Sequence, residues 1–267
     1  MHDTLKTIMK KDIILTSCLN NFVHNADLQE ISIGCSGDKV IKITKNDGIY
    51  FLKYSNRKNI QSEHEKLKWL QNKLPVPQIV SYEEQDDMYY LLTRALDGEM
   101  VCTPYYMQNQ NLGLAVIQKA FKLLWNIDIH DCPFDAGLDY KLNYIKTKID
   151  NNEIHAEDIR TEFLEKHGGI DSMYKYLINN RPNETLAFSH GDTSLPNIFG
   201  QGNELTGFID VSDCGIADIW FDITVTAKSV KRNYGDNALQ LFMDSIKEKF
   251  GTIDHDKIEY YTTLVEF

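Results

Sequence analysis

The sequence predicts an α+β fold in two lobes, a small antiparallel β-sheet lobe carrying one helix, followed by a larger and mainly helical lobe. Three observations lead there. At 267 residues the chain is long for one ordinary core and short for three domains. Up to about residue 93 it is dominated by short β-branched or aromatic runs broken by polar turns, with a single helical stripe among them. After Asp97-Gly98 the apolar spacing changes to threes and fours. The expected lobes are therefore residues 1–96 and 97–267.

The elements follow in order. Residues 40–44 and 49–53 are strand-like runs joined by Lys45-Asn46-Asp47-Gly48, and Asp-Gly between such runs is a strong hairpin signal. A further strand is expected at 29–33. Residues 59–74 read as a helix with Leu67, Leu70 and Leu74 on one stripe, ended by Leu74-Pro75-Val76-Pro77. Residues 79–82 and 89–93 complete the sheet. In the larger lobe, helices are expected at 113–127, 140–149, 172–179, 221–230 and 238–250. Short strands are expected at 188–190, 198–199 and 205–209.

Composition limits the function classes. The sequence is 42% hydrophobic and 25% charged, and no apolar run approaches the ~18 residues of a membrane span. Residues 1–25 mix Lys, Asp and Asn with apolar residues and lack a signal peptide's unbroken apolar core. Five scattered cysteines form no C-x-x-C pair, so neither a disulfide framework nor a zinc site is indicated, and a cytoplasmic location is expected. The net charge of −11 argues against nucleic acid as a partner and favours cationic ligands. Solubility alone would also explain it.

The chemistry centres on Ser189-His190-Gly191-Asp192-Thr193-Ser194-Leu195-Pro196-Asn197 and on Asp210. An Asp and an Asn five apart, then a second Asp after an apolar strand, fit a phosphoryl-transfer site. Asp192 would orient and deprotonate a hydroxyl, while Asn197 and Asp210 offer hard oxygen ligands to Mg²⁺. Polar turn chemistry is the plainer explanation for the same residues. Upstream, Lys53 ends a hairpin strand on the face of Ile49 and Phe51, placed to reach nucleotide phosphates. Glu63 lies on the apolar stripe of the 59–74 helix. A carboxylate there requires a cation, for which Lys53 is the obvious candidate. An ordinary strand-end lysine and a first-turn acid are the competing readings. His190 is expected to pack and hydrogen-bond, and Asp218 and Asp222 to share a helix face and brace the loop. The acidic residues Glu153, Glu157, Asp158, Glu162 and Glu165 form either a solvated face or a dock for a polycationic acceptor.

These residues resemble the aminoglycoside 3′-phosphotransferases, antibiotic-resistance kinases with a protein-kinase-like fold. The resemblance covers most of the chain. It includes Trp69-Leu70 with Lys73-Leu74-Pro75-Val76-Pro77, Ile127-Asp128-Ile129 with Cys132-Pro133-Phe134, and Phe188-Ser189-His190-Gly191-Asp192. It continues through Asn197-Ile198-Phe199, Gly207-Phe208-Ile209-Asp210, Ala217-Asp218 with Trp220 and Asp222-Ile223, and Tyr260-Tyr261 with Glu266-Phe267. It implies ATP or GTP with Mg²⁺, and transfer of the γ-phosphoryl group to an aminoglycoside, at its 3′-hydroxyl. By the same resemblance Ser36 lies in the loop over the phosphates, Lys53 and Glu63 form the nucleotide pair, and backbone groups of Arg94 and Leu96 meet adenine. Glu157, Asp158, Glu162, Glu266 and the carboxylate of Phe267 hold antibiotic amines. Three departures surround the acceptor side: Thr193-Ser194-Leu195-Pro196 inside the motif, Val211-Ser212-Asp213 after it, and Val265 in the tail. The rival expectations are a kinase for another antibiotic or cationic small molecule, and a nucleotide-binding pseudokinase. The second is disfavoured because Lys53, Asp192, Asn197 and Asp210 are all present.

Overall fold

The computed structural model describes residues 15–31 and 38–267. Ser36 and the last two residues of the strand expected at 29–33 lie outside the described residues. The chain forms two compact units, Met1–Asp97 and Gly98–Phe267.

In the first unit, strands β1 (Asp27–Ile31), β2 (Lys39–Lys45), β3 (Gly48–Ser55), β4 (Ile79–Gln85) and β5 (Met88–Arg94) form one sheet in the order β1-β2-β3-β5-β4. Every neighbouring pair is antiparallel. The two-residue turn Asn46-Asp47 joins β2 to β3, and Gly48 opens β3 opposite Lys45. Alternation along β3 turns Tyr50, Leu52 and Tyr54 into a core with Ile41, Ile43, Tyr90 and Leu92. The helix α1 (Ser17–Val23) adds Leu19 to that core, after Thr16 caps it by accepting from the Leu19 amide at 3.2 Å. Lys53 leaves the strand on the opposite face, directly across from buried Leu91.

Helix α2 (Asn59–Leu70) buries Ile60, Glu63, Leu67 and Leu70. It stops one turn before the expected end because Asn72 turns left-handed (φ 74°), although Leu74 still reaches the core. The hydrophobic stripe thus continues beyond the helix that began it.

The second unit contains α3 (Pro104–Gln108), α4 (Gln110–Leu124), α5 (Leu138–Asp150), α6 (Thr161–His167), α7 (Ile170–Asn179), α8 (Ile219–Tyr234), α9 (Asp236–Phe250) and α10 (His255–Leu264). Two small sheets accompany them. Strand β7 (Leu186–Ser189) pairs with β10 (Gly215–Asp218), and β8 (Ile198–Gln201) lies between β6 (Glu99–Met100) and β9 (Glu204–Phe208). Helix α8 packs on α9, α10 and β7. Ile117, Phe121, Phe188, Leu195, Ile198, Phe208, Ile223 and Phe242 are all buried. No helix among the described residues is long and apolar enough to cross a membrane.

Helix α10 was not expected, because one of its inward positions is a lysine. Lys257 is buried with Tyr260, Tyr261 and Leu264. It forms a 2.8 Å ion pair with Asp218, which also accepts from Tyr261 Oη at 2.9 Å and from the Thr185 amide at 3.2 Å. Asp218 ends β10 and stands just ahead of the helix that carries Asp222. It caps α8, accepting from the Trp220 amide, and its work is to hold α10 rather than the catalytic loop.

Candidate active site

In the first unit, Lys53 Nζ lies 2.6 Å from Glu63 Oε2. Glu63 is on the core-facing stripe of α2 and is buried, so the ammonium offsets a charge that water cannot reach. Lys53 keeps about a fifth of its side chain exposed and so also faces outward. Strand β5 ends at Arg94, and Leu96 follows two residues later. The Arg94 amide donates to Gln78 O at 2.9 Å and the Ala95 amide to Ile49 O at 2.9 Å. The Arg94 N–H is thus committed to the sheet. Its guanidinium donates back to Asp47 O across the hairpin.

In the second unit, β7 ends at Ser189 and the catalytic loop begins. Gly191 has φ 83°, and a Cβ there would stand 2.3 Å from Asp213 O, so only glycine lets these two loops touch. Asp192 Oδ1 accepts from the Ser194 amide at 3.1 Å, and Oδ2 accepts from Asn197 Nδ2 at 2.8 Å. Asn197 Nδ2 also donates to Asp192 O at 3.1 Å. The Asn197 amide group therefore spends its donor on Asp192 and keeps its carbonyl oxygen as the acceptor end. Asn197 O accepts from the Ile209 amide at 3.0 Å, which brings Asp210 alongside it. Asp210 has φ 58°, an uncommon conformation for a residue with a side chain, and such outliers gather at functional sites.

Neighbouring groups hold this loop in place. His190 is fully buried, its Nε2 bonded to Ile209 O at 3.1 Å and its Nδ1 to the Asp192 amide at 3.3 Å. Those partners require the neutral Nε2–H tautomer, and burial lowers its pKa in the same sense. It thus bridges the segment of Asp192 to the segment of Asp210, as expected of a structural histidine. Ser189 Oγ donates to Asp222 Oδ1 at 2.8 Å and accepts from the Gly191 amide at 3.0 Å. Thr193 Oγ1 donates to Asp222 O, Thr226 Oγ1 donates to Thr193, and Ser229 Oγ accepts from the Leu195 amide at 2.9 Å. One face of α8, from Asp222 through Thr226 to Ser229, therefore fixes the motif. Burial raises the Asp222 carboxyl to about 6, partly opposed by its hydrogen bonds. Thr226 and Ser229 carried no sequence signal beyond their spacing to the motif.

The expected acceptor residues are placed unevenly. Glu157 and Asp158 lie in a 3₁₀ turn, Ala156–Asp158, where Asp158 accepts from the His155 amide at 3.1 Å as a cap. Glu162 is exposed and pairs with Arg160 at 3.0 Å. The Glu266 side chain is 6% exposed and bound by Arg160 and Lys228, each at 2.8 Å. Burial alone would raise its pKa, but hydrogen bonds from these two cations hold it below the ordinary value. The Phe267 ring packs on Ile159, Phe163 and Met173. Arg160 had no signal in the sequence, because its partner lies 106 positions away.

Residues 27–259 match the phosphotransferase enzyme family. The chain belongs to that family. Among its relatives in the family is an aminoglycoside 3′-phosphotransferase of Niallia circulans, 33% identical over 93% of this chain and 95% of the relative. Enzymes of the same name from Staphylococcus aureus and Acinetobacter baumannii are 31% and 29% identical, over 87% and 94% of this chain and 90% and 98% of theirs. The fold is that of solved family structures. A type VIII aminoglycoside 3′-phosphotransferase superimposes with a TM-score of 0.78 at 23% identity, covering 100% of this chain and 98% of the other. Aminoglycoside phosphotransferase APH(3″)-Id of Streptomyces rimosus, in complex with ADP and streptomycin, gives 0.76 at 18% identity, covering 95% and 98%. The α+β, protein-kinase-like expectation is thereby met, and the chain is a phosphotransferase by family.

Proposed function

We propose that this phosphotransferase moves the γ-phosphoryl group of ATP or GTP to the 3′-hydroxyl of an aminoglycoside and so confers resistance to it, acting in the cytoplasm. The observation that carries this reading is the Asp192–Asn197 pair, tied through the Ile209 amide to Asp210. Relatives that match almost end to end bear the name of that reaction.

In this reading Asp192 faces the acceptor hydroxyl. Its two carboxylate oxygens are steered by Ser194 and Asn197, so its main contribution is to position the nucleophile and take its proton. The donor set beside it fits Mg²⁺. Asn197 retains an amide oxygen and Asp210 brings a carboxylate. Among the described residues no three His, Cys, Asp or Glu gather into an all-protein metal cage. Mg²⁺ suits such a site because it takes one or two protein oxygens and completes its shell with water and phosphate. When bound, the ion would neutralise charge on the phosphates. Lys53, held by Glu63, is assigned to the nucleotide phosphates. Ser36 is assigned to the loop over them, and the Arg94 carbonyl with the Leu96 backbone to the base. Glu157, Asp158, Glu162, Glu266 and Phe267 are assigned to acceptor amines, with Glu266 already paired to Arg160 and Lys228.

A coupled ADP-release assay over aminoglycosides with and without a 3′-hydroxyl tests the proposal. Turnover is expected only with the hydroxyl present. Equal turnover on 3′-deoxy acceptors would remove the regiochemistry, and no turnover on any aminoglycoside would remove the substrate class in favour of another cationic small molecule.

A further inference from the structure

We propose that Arg160 is a specificity-determining residue, a resident cation that occupies Glu266 and must yield before an acceptor ammonium can bind there. The inference rests on the reading of this protein as an aminoglycoside kinase. Arg160 donates through Nε to Glu266 Oε2 at 2.9 Å and through Nη2 to Oε1 at 2.8 Å, a two-pronged grip on one carboxylate. Lys228 Nζ takes Oε1 as well, at 2.8 Å. The carboxylate is almost wholly covered, while the Arg160 and Lys228 side chains are 52% and 37% exposed. The buried anion thus lies behind two cations that face solvent, and Arg160 is the more exposed of them. Arg160 also reaches Glu162 at 3.0 Å and stacks its guanidinium 4.6 Å from the Phe163 ring centre.

One helix connects this triad with the catalytic loop. Lys228 immediately precedes Ser229, which holds the Leu195 amide, and Thr226 of the same helix holds Thr193. The triad and the supports of the catalytic loop therefore share α8, on neighbouring faces about 100° apart. Glu266 is competent to bind an ammonium, since it binds that of Lys228. A guanidinium tethered to the same unit competes at high effective concentration with any ammonium that arrives from solution. Acceptors that depend on a salt link to Glu266 are consequently disfavoured relative to those that do not, which is discrimination by an occupied site rather than by a missing one.

Steady-state kinetics of the full-length wild type, R160Q, R160K and the R160Q/E266Q double variant, with a 3′-hydroxyl aminoglycoside and ATP as substrates, test this. R160Q is expected to lower the acceptor KM about fivefold, the scale of one partly exposed ion pair, and to leave the ATP KM unmoved. R160K should return the acceptor KM towards wild type, and the double variant should lose the gain. Should R160Q fail to fold, R160M keeps the apolar stem over Phe163 and carries the same expectation. An acceptor KM that is unchanged or higher in the Arg160 variants, or a gain that survives E266Q, overturns the inference while the functional reading stands. A wild type inactive on every aminoglycoside overturns both.

Discussion

Asp192, Asn197 and Lys53 carry the sharpest consequences at the scale of single residues. D192A should reduce turnover by several orders of magnitude with little change in nucleotide affinity, measured by ADP release beside calorimetric binding of a non-hydrolysable ATP analogue. K53A removes the cation from a buried carboxylate, and breaking such a pair costs about 3–5 kcal/mol. It should therefore lower the melting temperature as well as raise the nucleotide KM, whereas K53A/E63Q should recover stability without recovering nucleotide use. Asp222 gives a pH dependence. Its folded pKa of about 6 is above that of an ordinary Asp, so the folded state holds its proton more tightly. The stabilisation this provides is complete in acid below the unfolded pKa and is lost as pH rises to about 6. D222N should flatten that loss in melting curves taken across the range. Much of this was legible in the sequence: Glu63 stood out as an acid on an apolar stripe, and Asp192, Asn197 and Asp210 by spacing. Arg160 and Lys228 were not, because their shared partner Glu266 lies 106 and 38 positions further along the chain and only the tertiary fold brings it to them.

Elements show why local signals sometimes failed. α2 and α4 follow clear apolar stripes and were found. α1, at seven residues, and β10, at four, are too short to show a period. α10 was hidden by Lys257, since an inward lysine reads as a break in the stripe until its partner Asp218 is seen. That pairing makes a prediction for the element as a whole. K257M should loosen α10 and lower the melting temperature, because Asp218 stays buried with only neutral donors around it. K257M/D218N should regain part of the loss, and hydrogen exchange over 255–264 would show whether the helix itself is what opens. The braced face of α8 predicts a different signature. T226V removes the hydroxyl that reaches Thr193 and should lower kcat more than it raises either KM, since it disturbs the loop that carries Asp192 rather than a ligand contact.

On the scale of the whole molecule, the net charge of −11 acts on a polycationic acceptor from a distance. Raising salt from about 50 to 300 mM shortens the screening length and should raise the acceptor KM, while attraction cannot explain any parallel change for an anionic nucleotide. The two compact units also differ in how far apart in sequence their buried charge pairs are. Lys53 and Glu63 are ten residues apart, and Lys257 is 39 residues beyond Asp218. During synthesis the first pair can close soon after its strand and helix leave the ribosome. Asp218 must wait, its carboxylate solvated and α8 without its seat for α10, until the segment to Tyr261 has emerged. A nascent chain halted near residue 250 should therefore remain open to protease around 185 and 218. Helix α10 is the one that lets the strand leading into the catalytic loop settle, so the site should become competent only once the segment to Tyr261 has emerged.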